Sequence, residues 1–310
     1  MTNLRKLEYK LNSEDAGLTA GNVMRDILGL SAKEITHCKR SKDGVTVLRK
    51  DESGNEAEIP VRVIDKLFSG DTLVVRIYET YDGAADIIPS ETPVDVVYED
   101  EDLIVLNKPA DMVIHPSYAH LTDSLSNALA GYYKRTGQEH VIRTVGRLDR
   151  ETSGLVIFAK NRHAAAVLSA QNKQMSKRKE YLALVLGIPD VKEGTIDASI
   201  ERVEGDRMLR KVSESGKRAV THYKVEEEFD GYSLVRLVLE TGRTHQIRVH
   251  MAYIGHPLLG DSLYGNENAH GFGIDRAALH AGIITLKHPV TGKELRFEAP
   301  VSKDMKRLLK

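Results

Sequence analysis

The sequence predicts an α+β fold, with a mainly antiparallel or mixed β-sheet preceded by a small α/β domain. Strand patterns follow one another more often than helical ones do, and the helical patterns are too few and too irregularly placed for repeated βαβ units. Two strand pairs are joined by tight turn signals, Asp230-Gly231 and Thr291-Gly292. The 310 residues, 41% hydrophobic and 29% charged, suit two domains and can bury a core without a disulfide or metal.

At the N-terminus, Leu18, Val23, Ile27 and Leu28 predict a short helix ending at Gly29, and Ser31 reads as the N-cap of a second helix through Ile35. VTVLR (45–49) and DTLVVRIYE (71–79) read as strands by β-branched content and alternation. Residues 1–79 are therefore expected to form a small helix-helix-strand domain. From Glu79 to Asp102 there are nine acidic residues and no basic ones, with turn formers at Gly83, Pro89 and Pro93, so 80–92 reads as a linker. PVDVVYED and DLIVLNKP follow as strands around an acidic turn near Asp100, and the proline-broken loop KPADMVIHP closes the segment. A helix is expected from Asp123 to Arg135, with Leu125 and Leu129 four apart and Gly137 as its stop. SGLVIFAK is an apolar strand, Asn161 can cap the helix NRHAAAVLSAQNK, and KEYLALVLG is another strand. The hairpins THYKVEEEF/SLVRLVLE and ALHAGIITL/KELRFEAP complete the pattern.

Charge and cysteine content narrow the function. Cys38 is the only cysteine, so an internal disulfide and cysteine-rich zinc sites are excluded and no metal is expected. No apolar run approaches the roughly 20 residues of a membrane span, and the charged start does not resemble a signal-peptide core, so a cytoplasmic protein without membrane contact is expected. Lys plus Arg (44) nearly balance Asp plus Glu (45), yet Arg143 to Lys179 holds nine basic residues against Asp149 and Glu151. A solvated face would give the same count; a polyanion site needs chemistry beside it.

Three segments could supply that chemistry. In VGRLDRETSGLVIF, Asp149 sits between Arg147 and Arg150 on a loop entering an apolar strand. Nearby guanidiniums favour the ionised carboxylate that a nucleophile or oxocarbenium stabiliser requires. Taken alone, the segment also fits an aspartate that caps a turn. In LETGRTHQIRVHMAYIGHPLLGDSLYG, Thr244 reads as an N-cap and Ile247, Met251 and Ile254 as a buried stripe, with Gly255 as the stop. His245 and Arg248 share another face, and Thr241-Gly242-Arg243 resembles an anion site at a helix N-terminus. Arg243 would hold phosphate and Arg248 reach inward to a carboxylate, although a surface salt bridge would use the same residues. In KRKEYLALVLG, Tyr181 follows Lys177, Arg178 and Lys179, a pattern that suits an unstacked nucleobase and also an ordinary core tyrosine.

GRLDRETSG, KRKEYLALVLG and TGRTHQIRVHMAYIGHPLLGDSLYG, with KPADMVIHP before them and HAGIITLKHPVTGKELRFEAP after, closely resemble the RluA family of pseudouridine synthases in order and spacing, from about Pro93 to Pro300. The resemblance implies isomerisation of uridine to pseudouridine in structured RNA, ribosomal or transfer, without a cofactor. The catalytic domain would span 93–310 and carry its active site in a cleft. It places the catalytic aspartate on Asp149, the active-site tyrosine on Tyr181 and the aspartate-pairing arginine on Arg248. Asp149 would attack C1′ or remove a sugar proton, Tyr181 would stack on the extruded uracil, and Arg248 would fix the carboxylate. Arg147, Arg150, Lys177, Arg178, Lys179, Arg243 and His245 are the expected RNA contacts, with Arg202, Arg207 and Arg210 as further candidates. Two positions depart from the family pattern: Gly146 stands where histidine is common before Arg-Leu-Asp, and Asp111 replaces a common glycine. Residues 17–79 resemble, less specifically, an S4-like RNA-binding domain, degenerate because only Lys39, Arg40 and Lys42 fall near its basic helix. An N-glycosylase and a catalytically silent RNA-binding protein are the competing readings. The residues leave the oligomeric state open, with a monomer as the default expectation.

Overall fold

The computed structural model describes residues 4–51, 53–78, 87–173 and 178–310. Its first sheet is antiparallel and contains β1 (Leu4–Lys10), β2 (Val45–Lys50), β3 (Glu56–Pro60) and β4 (Thr72–Tyr78) in the order β1-β4-β2-β3. Thr19 caps α1 (Ala20–Asn22), which continues as a π-helical turn over Val23–Ile27, and Gly29 ends the segment at φ 69°. Ser31 and Glu34 form a reciprocal capping box on α2 (Ala32–Cys38). Leu7, Met24, Leu30, Cys38, Val47, Leu73 and Val75 bury together between these helices and the sheet. The sequence pattern gave no warning of β1 and β3, because β1 buries only Leu7 and β3 is exposed throughout.

The second sheet has ten strands. Its elements in chain order are β5 (Val96–Glu99), β6 (Leu103–Lys108), α3 (Leu125–Arg135), β7 (Arg143–Thr144), β8 (Ser153–Ala159), α4 (Arg162–Lys173), β9 (Arg178–Leu186) and β10 (Glu193–Asp197). A small separate ribbon, β11 (Ile200–Arg202) with β12 (Arg210–Val212), precedes β13 (Val220–Phe229), β14 (Tyr232–Leu239), α5 (Gln246–Tyr253), β15 (Leu279–Lys287), β16 (Glu294–Glu298) and α6 (Lys303–Arg307). The order is β10-β13-β14-β9-β15-β8-β6-β5, with β16 beside β15 and β7 beside β8. All these pairings are antiparallel except β8 with β15, which run parallel at Ser153/His280 and Gly154/Ala281. Gly154 permits this contact: it has φ 109°, and a Cβ there would lie 2.3 Å from the Ala281 carbonyl oxygen.

Apolar layers cover both faces, which explains the nearly unbroken hydrophobic run of β8. Ile104, Leu106, Val156 and Phe158 pack with Leu125 and Leu129 of α3 and Ile247 and Met251 of α5. Their strand neighbours Leu103, Val105, Leu155 and Ile157 pack with Ala164 and Leu168 of α4. The predicted mainly antiparallel α+β architecture is what forms. Asn161 caps α4 through the Ala164 N–H, and Ser124 caps α3.

Among the described residues, polar contacts and the apolar packing of Val290 dock the two sheets. Arg5 on β1 grips Asp102 with two hydrogen bonds of 2.7 and 2.8 Å, Asn161 donates to the same carboxylate at 2.7 Å, and Glu34 meets His163 of α4 at 3.1 Å. Val290, in the turn between β15 and β16, packs against the core of the first sheet. Among the described residues, no helix is long and apolar enough to cross a membrane. Part of the predicted 80–92 linker, residues 80–86, lies outside the described residues.

Candidate active site

Asp149 lies on the loop between β7 and β8, and this loop is anchored on both sides. Lys108, fully buried at the end of β6, donates its ammonium protons to the carbonyls of Pro109 (2.7 Å), Met112 (2.8 Å) and Arg150 (3.0 Å), tying the Lys-Pro loop to the Asp149 loop. Burial, with the Arg276 charge, pushes Lys108 down to about 7, against attraction from Asp111 and Asp149. On the other side, Arg276 donates to the Glu151 carbonyl at 3.0 Å, and the Glu151 carboxylate accepts the Ala277 N–H at 2.9 Å.

Arg276 also fastens α6 to this loop through Asp304, at 2.7 and 3.0 Å. Burial pushes the Asp304 carboxyl up, but hydrogen bonds from Arg276 and Ser302 outweigh it and bring the carboxyl down to about 2. A carboxyl depressed in the folded state stabilises it above the unfolded pKa of about 4, and that contribution fades as pH falls toward 2. Asp304→Asn is therefore expected to lower the thermal midpoint at neutral pH, with a difference from the wild-type protein that shrinks between about pH 4 and 2. Melting curves across that range check it; a constant difference would refute the linkage.

Six of the predicted residues line one cleft: Asp149, Tyr181 and Arg248, and the expected RNA contacts Arg147, Arg243 and His245, together with Leu239, Ile247 and Leu279. The Asp149 side chain keeps 19% of its surface exposed. Tyr181, on β9 beside Leu237 and Ala281, is almost buried. Burial, reinforced by the Asp149 charge, raises its phenol, so it stays protonated at neutral pH.

Arg248 occupies the inner face of α5 and is 2% exposed. Its guanidinium forms a bidentate pair with the fully buried Asp261 at 2.7 and 2.6 Å and approaches Glu151 at 3.3 Å. Burial opposes its charge, but hydrogen bonding to Asp261 and attraction from Asp261, Glu151 and Asp149 prevail and raise it. In this structure the hydrogen bonds of Arg248 go to Asp261, and Asp149 feels it only at longer range. The expectation that Arg248 directly pairs Asp149 is corrected in that respect. Asp261 and Tyr264 stand in the same LLGDSLYG stretch, but pattern reading assigned them no role; the signal was that a buried arginine needs a buried acid.

Several other expectations change. Arg150 turns outward and lies 3.8 Å from Asp111 rather than against Asp149, since both side chains reach solvent. Asp111 adopts φ 58°, a left-handed backbone that glycine takes freely and aspartate tolerates. Gly146 has φ 86°, so the loop shape here favours the absence of a side chain. Thr244 is not the N-cap: the helix begins at Gln246, with His245 before it at φ 56°, ψ 19°. The Arg243 N–H is taken by the Gln246 side chain at 3.0 Å and is not free for an anion, while its Nε donates to the Arg218 carbonyl. Arg178 meets Glu180 at 3.3 Å, Lys179 is half-buried on β9, and Lys177 lies outside the described residues. Beside the cleft, a second depression contains Arg202, Arg210 and Lys217 and shares Gly242, Arg243 and Thr244 with it.

A family profile described as RNA pseudouridylate synthase matches residues 102–253. The uncharacterized RNA pseudouridine synthase YlyB of Bacillus subtilis (strain 168) is 43% identical over 249 residues, covering 79% of this chain and 80% of that protein. YhcT of the same organism, another uncharacterized RNA pseudouridine synthase, is 40% identical over 306 residues, covering 98% and 96%. Ribosomal large subunit pseudouridine synthase D of Vibrio cholerae is 44% identical over 226 residues, 69% of each chain. Among solved structures, human RNA Pseudouridylate Synthase Domain Containing 1 superposes with a TM-score of 0.58 at 26% identity, covering 71% of this chain and 94% of that one.

Proposed function

This chain belongs to the RluA family of RNA pseudouridine synthases, and from that premise we propose that Asp149 opens the glycosidic bond of a uridine in large-subunit ribosomal RNA. The observation that carries the reading is the convergence of Asp149, Tyr181 and Arg248 on one cleft. The isomerisation must break the bond between N1 and C1′, hold the uracil while it turns, and rejoin C5 to C1′. Attack at C1′ and removal of a sugar proton both begin with an ionised carboxylate, and Asp149 is the carboxylate that lines the cleft. The protonated Tyr181 offers its ring face to the extruded base and a hydroxyl proton at the cleft wall. Leu239, Ile247 and Leu279 give the otherwise polar cleft apolar surface against which a base can rest.

Extrusion costs a few kcal/mol, which backbone contacts must offset. The basic depression with Arg202, Arg210, Lys217 and Arg243 adjoins the cleft and fits the flanking phosphates. Arg243→Ala is expected to weaken RNA binding and reduce its salt slope by about 1. Filter binding at several salt concentrations checks it, and an unchanged slope would remove Arg243 from the phosphate path.

On the same reading, residues 1–79 are a degenerate S4-like module, 80–92 a linker and 93–310 the catalytic unit. The separate sheet and core of the first module support the division, and Lys33 and His37 of α2, with Arg40 just beyond its end, border a groove with Glu34 and with Arg162 of α4, where the basic side chains could meet RNA backbone. The cytoplasm, where ribosomal RNA is available, fits as the compartment.

The test is chemical mapping of pseudouridine across total RNA from cells with and without the gene. Loss of defined ribosomal sites supports the reading; loss confined to transfer RNA would reassign the target. Free uracil released by the purified protein would instead indicate a glycosylase.

A further inference from the structure

His245 is a buried histidine, 7% exposed, held in a left-handed backbone conformation directly before α5. Histidine is among the few side chains enriched there, but the geometry still calls for a reason. Its Nδ1 lies 2.8 Å from the Tyr264 hydroxyl, and that hydroxyl oxygen accepts the Arg210 N–H at 3.0 Å. With that lone pair engaged, the hydroxyl can give its proton to His245 Nδ1, and a neutral imidazole that accepts at Nδ1 carries its own proton on Nε2. Burial keeps the ring neutral, with Arg248 and Arg210 adding to that effect against the opposing attraction of Asp149 and Asp261. Nε2 faces Asp149 Oδ1 at 4.0 Å. Tyr264 is fixed in turn, because Asp261 accepts its backbone N–H at 3.0 Å and the Arg248 guanidinium lies over its ring at 5.4 Å.

We propose that Tyr264 and His245 are positioning residues for Asp149: Tyr264 selects the Nε2–H tautomer, and that N–H donates to Asp149 Oδ1 when substrate fills the cleft. The inference rests on the reading of Asp149 as the reactive carboxylate. Arg248 is engaged by Asp261 and Glu151, so its charge acts on Asp149 without a hydrogen bond to orient it. An uncharged donor on one oxygen fixes the carboxylate plane and leaves Oδ2 for the sugar, while neutralising it less than a cation in contact would. A closure of about 1 Å brings Nε2 to hydrogen-bond length.

The experiment measures single-turnover tritium release from a large-subunit ribosomal RNA transcript labelled at uridine C5. His245→Ala is expected to react about 10²-fold more slowly with RNA affinity unchanged, as for a reacting group misplaced by about 1 Å. His245→Asn tolerates the left-handed backbone but places its amide short of Asp149, so it should fold with a wild-type melting point and remain as slow. His245→Gln extends a donor to the Nε2 position and should recover to within about tenfold of wild type. Tyr264→Phe should slow the reaction about tenfold and add nothing further in the His245→Ala background. Wild-type rates for His245→Asn, or independent multiplicative losses for the two residues, would overturn the proposal. If Asp149→Asn is inactive while His245→Ala reacts at full rate, this inference alone fails; an active Asp149→Asn removes the reading beneath it.

Discussion

Asp149→Asn is expected to lower pseudouridine formation by about 10⁴-fold, the scale seen when a reacting group is removed from an otherwise intact enzyme site, while leaving the unfolding midpoint unchanged. The substitution is nearly isosteric and keeps the backbone carbonyl that accepts the Thr152 N–H at 3.1 Å. Among the described residues, the Asp149 carboxylate accepts no hydrogen bond, and His245 Nε2 approaches it at 4.0 Å. The asparagine therefore breaks no hydrogen bond of that carboxylate to the described residues but cannot attack C1′ or accept a sugar proton as a carboxylate does. Tritium release and a thermal melt on the same preparation separate the two effects. Turnover at the wild-type rate would exclude Asp149 as the reactive group.

Arg248→Ala is expected to damage both stability and rate. Asp261 is fully buried, and removing its bidentate partner leaves a charge with little solvent access, a loss of about 3–5 kcal/mol for a broken buried pair. The turnover rate should fall by about 10²- to 10³-fold, the range for removing a preorganised electrostatic group, with RNA affinity little changed because Arg248 points inward. Asp261→Asn in the Arg248→Ala background relieves the stranded charge, so it should return part of the stability and none of the rate. Urea unfolding with single-turnover assays checks both; recovery of rate along with stability would show that Arg248 acts only through the fold.

The sequence conveyed the architecture through local chemistry. Ser31 and Asn161 announced their helices because side-chain caps are written within three residues, and the Asp230-Gly231 turn announced its hairpin. The parallel contact of β8 with β15 joins residues more than a hundred apart and has no local trace. Capping preference points to Thr244 as the helix start, whereas tertiary contacts to Gln246 and Tyr264 hold a left-handed turn at His245 and start the helix after it. Motif reading brought Asp149, Tyr181 and Arg248 to one cleft, but the partners that secure them, Asp261, Glu151, Lys108 and Arg276, depend on folds of chain that no spacing rule encodes.

The clamp between Arg5 and Asp102, seconded by Glu34 against His163, has an evolutionary corollary. A first sheet and its helices grafted from a relative would have to bring compatible counterparts for Asp102 and His163, or leave Asp102 with Asn161 but no arginine and His163 without its carboxylate. Exchange of this module among relatives should therefore succeed only as a coupled swap, with both sides of the joint inherited together.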